Sequence, residues 1–191
     1  VKVKRNETER KKAFAEFSTI RTKSPVGFLA PDFELETTTG KTVRLSDKRG
    51  QIAVFMFVAM TCPPARTQVD LWKGLYEKYD VNDVEIFFIY SRERHAGERG
   101  YPELKETTTT SERMAYAKML SEITAVPVAV DPIDERTLKD YGMVPNAAFV
   151  VDREGFIVFK SQWADIRKIE QVVQELLAAE ELKKQIKVNS S

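Results

Sequence analysis

Two apolar runs, Ile52–Val58 and Val84–Tyr90, flank a segment in which Val69, Trp72, Leu75 and Tyr76 recur at helical spacing. Runs of that length suit strands buried on both faces of a parallel sheet, and the stripe between them predicts a crossover helix over 63–78. A strand, a helix and a second parallel strand make a βαβ unit, whose sheet needs helices on its faces. The alternation continues downstream. Met114, Ala117, Met119 and Leu120 predict a helix over 112–123, followed by a strand at 126–130, a short helix at 134–141 and a strand at 147–151. Asp152, Arg153, Glu154 and Gly155 then form a tight turn into 156–160, giving an antiparallel hairpin. A helix over 165–186, buried through Ile169, Val172, Val173, Leu176 and Leu177, closes the chain. Upstream, Gly40 marks a turn into strand-like residues 42–45. The expected fold class is α/β, with a central mixed β-sheet flanked by helices.

With 191 residues the chain has material for one sizeable core rather than two. Ala13, Phe14, Phe17 and Ile20 recur at helical spacing, so 1–24 reads as a helical N-terminal extension, 25–186 as the domain and 187–191 as a tail. Lys plus Arg (30) nearly cancels Asp plus Glu (29), which leaves no global field for nucleic acid or an anionic membrane. No apolar stretch approaches the ~20 residues of a membrane span. One cysteine forms no disulfide within the chain, and one histidine and one cysteine are too few soft ligands for a metal site. No cofactor is implied. No secretory signal is visible and the sequence starts at Val1 rather than Met, so localisation stays open between the cytoplasm and an exported form.

The cysteine, Cys62, stands where the first apolar run ends and Pro63-Pro64 begins a helix, since proline suits a first turn whose amides lack partners. That places the sulfur at a helix N-terminus, where unpaired N–H groups and the macrodipole favour thiolate over thiol. A reactive thiol outweighs a structural core cysteine here, because core packing requires neither the strand-to-helix junction nor the prolines. The second apolar run ends just before His95, the only histidine, in a charged loop over 91–111 whose length points to function or disorder. In sheets of this kind, reactive groups gather at the carboxyl ends of the parallel strands, and both Cys62 and His95 fall there.

Several ordered segments carry a resemblance. Ala30-Pro31-Asp32-Phe33, Gly40 to Asp47, the apolar strand before Cys62-Pro63-Pro64, and Val144-Pro145-Asn146 to Gly155 resemble the thioredoxin-like redoxin and alkyl-hydroperoxide-reductase (AhpC/TSA) superfamily. The resemblance covers about residues 27–180 and implies a thioredoxin-like fold with an extra N-terminal helix. Thiol-disulfide reductases of this fold carry a second cysteine three residues after the first, where this chain has Ala65, and peroxiredoxins carry a threonine three residues before it, where this chain has Ala59. Thr61-Cys62-Pro63-Pro64, together with Ile89-Tyr90 and the following Glu93 and His95, is similar to iodothyronine deiodinases, with sulfur in place of selenium.

The resemblance implies a thiol-dependent oxidoreductase in which Cys62 is the nucleophile and attacks a peroxide, a disulfide or a halogenated substrate. His95 is the expected proton donor or thiolate partner, with Glu93 orienting its ring. Thr61, Pro63 and Arg66 are expected to support the sulfur, and Pro145, in the cis form, to present the backbone of Val144 beside it. Tyr101 and Trp163 are candidate aromatic walls. Without a second cysteine, the reset must come from an external thiol, either a small one such as glutathione, a thioredoxin-like protein or a second subunit of a homodimer. The alternative is a redox-sensing or binding module of the same fold, in which Cys62 is modified without turnover.

Overall fold

The computed structural model describes residue 8, residues 23–98, 100–142 and 146–189. The expected N-terminal helical stripe and Pro145 lie outside the described residues. Strands β1 (Glu34–Glu36) and β2 (Thr42–Arg44) form an antiparallel hairpin of their own. The main sheet contains β3 (Ile52–Val58), β4 (Val84–Tyr90), β5 (Val128–Val130), β6 (Ala148–Val151) and β7 (Ile157–Ser161), in the order β5-β4-β3-β6-β7. β3, β4 and β5 are parallel, while β6 and β7 run antiparallel, so the sheet is mixed as the sequence pattern requires.

Five α-helices are described: α1 (Pro63–Thr67), α2 (Val69–Lys78), α3 (Thr110–Ser121), α4 (Arg136–Tyr141) and α5 (Ile166–Asn189). The single helix expected over 63–78 is two helices, divided at Gln68, which caps the first and opens the second. α3 begins two residues before its expected start. Thr109 caps it, its hydroxyl accepting from the Glu112 amide (3.1 Å) while the Glu112 carboxylate accepts from the Thr109 amide (3.2 Å), a reciprocal box that satisfies two orphan donors. α5 runs past the expected end at 186.

The period-two alternation of the strands divides the core between the two faces of the sheet. On one face, Val54, Met56 and Val58 of β3 and Ile86, Phe88 and Tyr90 of β4 pack with Trp72 of α2, Ala117 and Leu120 of α3, and Ile169 and Val173 of α5. The other face holds Phe55, Phe57, Phe87 and Phe149 against Phe33, the hairpin residues Leu35 and Val43, and Leu138 and Tyr141 of α4. Its rings meet at close centroid distances, 5.5 Å for Phe55 with Phe87, 5.4 Å for Phe55 with Phe149 and 4.8 Å for Tyr141 with Phe149. Contacts of that kind add to area burial.

Each sheet edge is paired in part by a segment from the start of the domain. The β1–β2 hairpin reaches β5 through a bridge between Thr37 and Ala129, and residues 27–30 lie along 155–157 beside β7. The turn into β7 favours glycine because Gly155 adopts φ +94°, a left-handed conformation that other residues rarely take.

Candidate active site

β3 ends at Val58, the chain turns at Ala59 with Cys62 N–H donating to Ala59 O (3.1 Å), and α1 begins at Pro63. Cys62 is the N-cap of α1 in extended conformation (φ −85°, ψ 107°), with Pro63 and Pro64 in the first turn, as the sequence predicts. The thiol itself differs from expectation. Cys62 is only 5 % exposed and belongs to the core on its face of the sheet. Burial pushes the thiol above its ordinary value, and the charge of Glu93 adds to that. The Ala65 amide, Arg66 and Arg94 act in the opposite direction without overcoming it.

The resting group is therefore a thiol rather than the expected thiolate. Burial of the sulfur in the core is the main reason and the Glu93 charge adds to it, while the Ala65 amide at the start of the short helix α1 acts the other way without overcoming them.

Thr61 and Glu93 define the other side of the junction. Glu93 follows β4, is 3 % exposed, and accepts through Oε2 from the Thr61 amide (2.8 Å) and the Thr61 hydroxyl (2.5 Å). Its Oε1 accepts from the Met60 amide (3.2 Å) and from the Tyr90 hydroxyl, which itself accepts from Met60 N–H (3.0 Å). A buried carboxylate is costly unless it is this fully engaged, and here it ties the loop carrying Cys62 to the end of β4. Burial and the Glu93 charge push the Tyr90 hydroxyl well above its ordinary value, so it remains a donor. The role expected for Glu93, orienting the His95 ring, is not what the structure shows. His95 donates its backbone N–H to Thr61 Oγ1 (3.3 Å), and its Nδ1 lies 3.6 Å from Glu98.

Arg66, on the last turn of α1, lies over the ring of Tyr101, its guanidinium carbon 4.5 Å from the ring centroid. Tyr101 belongs to a loop closed by Gly97 N–H donating to Leu104 O (2.7 Å), with Leu104 buried in the Cys62-side core. Trp163 is half-exposed, and its neighbour Ala164 donates to Asn146 O (3.1 Å). The structure thus brings Thr61, Cys62, Arg66, Glu93 and the His95 backbone together at the carboxyl ends of β3 and β4.

Three features went unread in the sequence. Arg94 acts on the sulfur from the segment after β4. Asn146 is fully buried, with both side-chain amide atoms lacking a partner. Arg113, 1 % exposed, donates through Nη1 to the carbonyls of Asp131 (3.0 Å) and Pro132 (2.7 Å). Glu135 lies between Arg113 and Arg92, at 3.7 and 3.3 Å, and so links α3 to the residue preceding Glu93. Arg113 is four residues before Ala117, a core position by helical spacing, and that was the available signal.

A sequence profile of the AhpC/TSA family matches residues 26–160, most of the chain. The chain belongs to the AhpC/TSA family. Among curated relatives of this AhpC/TSA protein, the thiol-disulfide oxidoreductase ResA of Geobacillus thermodenitrificans is 29 % identical over 143 residues, covering 74 % of this chain and 72 % of the relative. Among solved structures, the exposed lipoprotein thioredoxin Etrx1 of Streptococcus pneumoniae superposes with a TM-score of 0.59 at 26 % identity, covering 76 % of this chain and all of the other. A protein described as the thiol:disulfide interchange protein DsbE of Chlorobium tepidum superposes with a TM-score of 0.59 at 27 % identity, over 81 % and 96 % of the two chains. The fold of this AhpC/TSA protein is thioredoxin-like, and among its described residues no group of acidic, histidine and cysteine side chains is arranged to hold a metal.

Proposed function

We propose that this protein is a thiol-dependent oxidoreductase in which Cys62 is the nucleophile and an external thiol completes the cycle. The observation that carries the reading is the junction itself. Cys62 caps a helix directly after a central strand, in a loop whose Met60 and Thr61 amides are held by the buried Glu93 carboxylate. Relatives named thiol-disulfide oxidoreductases support the reaction class.

With a disulfide substrate, the Cys62 proton leaves, the sulfur attacks one sulfur of the substrate, and a mixed disulfide forms as the other half departs as thiolate. An external thiolate then attacks the mixed disulfide, restoring Cys62 and leaving an external disulfide. With a peroxide, the same sulfur takes one oxygen to become sulfenic acid while alkoxide or hydroxide leaves. Two external thiols then return it to thiol, with release of water and a disulfide. With an aryl iodide, carbon gains a proton as the sulfur takes the iodine; one external thiol then displaces iodide to form a mixed disulfide with Cys62, and a second restores the thiol and leaves as an external disulfide. Ala65 at the resolving position makes the outside thiol obligatory in every case.

A narrower reading is that the reaction is deiodinase-like. Thr61, Tyr90 and Glu93, which carry that resemblance, are joined by hydrogen bonds, and the His95 amide is bonded to Thr61. In this reading His95 supplies the proton to the leaving group, and the reductant is a glutathione-like thiol or a thioredoxin-like protein.

The test is a panel of low-molecular-weight disulfides, peroxides and iodinated phenols, measuring thiol consumption by wild type and Cys62→Ser. Catalytic turnover lost in the variant is expected for at least one class. Modification of Cys62 that stays stoichiometric with every class overturns the enzyme in favour of a redox-sensing module.

A further inference from the structure

Glu135 holds a backbone conformation that glutamate rarely takes. It opens α4 with φ 56° and ψ 32°, and Ser24 is the other described residue besides glycine with a positive φ. A left-handed residue other than glycine is costly and persists where its surroundings hold it. Helix capping does not supply the reason. The Glu135 side chain makes no cap hydrogen bond, and the amides of Thr137 and Leu138 donate instead to the buried Asp131 carboxylate, at 3.1 Å each. What the Glu135 carboxylate meets is two arginines, with Oε1 3.3 Å from Arg92 Nε and 3.7 Å from Arg113 Nη2 and the side chain only 11 % exposed.

The two arginines stand on different sides of that carboxylate's task. Arg113 is anchored by the Asp131 and Pro132 carbonyls, so it fixes Glu135 from the side of α3. Arg92 lies in the three residues that close on the Cys62 junction. Ser91 N–H donates to Val58 O (2.8 Å) at the end of β3, and the Glu93 carboxylate receives the Met60 and Thr61 amides. Arg92 stands between these two contacts and gives its guanidinium to Glu135. A shift of Arg92 therefore turns the peptide that carries Glu93, whose donors include the amide of the residue before the sulfur. Hydrogen bonds weaken steeply with misalignment, so a small displacement loosens the junction. Resting on the reading of Cys62 as the nucleophile, we propose that Glu135 is a positioning residue for that thiol: through Arg92 it aims the Glu93 carboxylate at Met60 and Thr61, and so keeps Cys62 enclosed. The ion pairs act by selecting one arrangement, since buried charges add little net stability over an apolar cluster.

The experiment is a double-mutant cycle between Glu135→Gln and Glu93→Gln, read by alkylation of Cys62 with iodoacetamide across pH under native conditions. Loosening the junction exposes the sulfur and moves the Glu93 charge from it, and both changes speed labelling. Glu135→Gln is expected to raise the labelling rate at neutral pH about tenfold and to lower the midpoint of the profile, and to do neither in the Glu93→Gln background. A direct effect of the lost Glu135 charge on the sulfur would move the midpoint in both backgrounds, and Arg66 and Arg94, whose charges also act on Cys62, are unchanged throughout. Arg92→Gln cuts the same link from its other end and is expected to reproduce the Glu135→Gln profile, so it carries the test if Glu135→Gln does not fold. Phe55→Ala destabilises the opposite face of the sheet and is expected to keep the wild-type profile, which separates positioning from loss of stability. Equal effects in the two backgrounds, or none in either, overturn the role of Glu135 and leave Cys62 as the nucleophile. Mixed-disulfide formation between wild type and bis(hydroxyethyl) disulfide, followed by mass spectrometry, tests the nucleophile separately. Its absence overturns that reading whatever the cycle shows.

Discussion

Thr61 gives both of its donors, the backbone N–H at 2.8 Å and the hydroxyl at 2.5 Å, to the same carboxylate oxygen of Glu93. The residue before the sulfur is thereby fixed to the residue that ends the β4 excursion. The position of Cys62 is a property of two strands rather than of its own helix.

Replacing Glu93 tests that fixation. Glu93→Gln keeps the shape but presents an amide NH2 where two donors already point, so at least one buried donor loses its acceptor. Unfolding in urea is expected to show a loss of about 2–3 kcal/mol. The same change removes the negative charge that raises the Cys62 thiol, so the pH profile of Cys62 alkylation is expected to move to lower pH. An unshifted profile would separate Glu93 from the chemistry and leave it a structural residue.

Cys62 also predicts a pH dependence of stability. Its folded value lies above the ordinary thiol value of 9.0, so the unfolded chain ionises first as pH rises. Between the two values the folded protein binds more protons than the unfolded one, and stability falls with rising pH. The contribution of the buried thiol is complete below the unfolded value and is lost as pH rises through the folded one. Urea unfolding of wild type and Cys62→Ala from about pH 8 to 10 is expected to show the steeper decline in wild type.

The Arg113 network is expected to be a large single contributor to stability. Arg113→Ala strips donors from the Asp131 and Pro132 carbonyls and one of two cations from Glu135, all in a buried setting. A loss of about 3 kcal/mol, read as a lower denaturation midpoint, is the expected outcome.

On the opposite face, Phe55 touches Phe33, Phe57, Phe87, Phe149 and Tyr141. Phe55→Ala opens a cavity among rings that cannot all move inward together. Calorimetry or denaturant titration is expected to show a loss of about 3–5 kcal/mol, with the Cys62 alkylation profile unchanged, because the ring lies across the sheet from the sulfur.

The strands were legible because apolar runs and period-two alternation report burial directly, and β3, β4 and β6 fall where those runs lie. Helix interiors were legible for the same reason. The division at Gln68 was not, because Ala65, Val69 and Trp72 keep a continuous apolar face across it. The start of α3 was present in the sequence as Thr109 followed three residues later by Glu112, but the four-threonine run obscured it.

At the site, the sequence determined that a lone sulfur would stand between a buried strand and a proline-started helix, without a resolving partner at position 65. These are facts of order and composition; apolar patterning adds a mixed sheet with helices on its faces, and the resemblance of the ordered motifs adds the thioredoxin-like fold. Only the tertiary structure decided the state of that sulfur and the task of Glu93. Both depend on what lies nearby in space: a core that desolvates Cys62, two arginines from separate elements, and a carboxylate that accepts from Met60 and Thr61, more than 30 residues away in the chain, as well as from nearby Tyr90. Local sequence encodes a helix end, but the field there is summed over neighbours that only folding assembles.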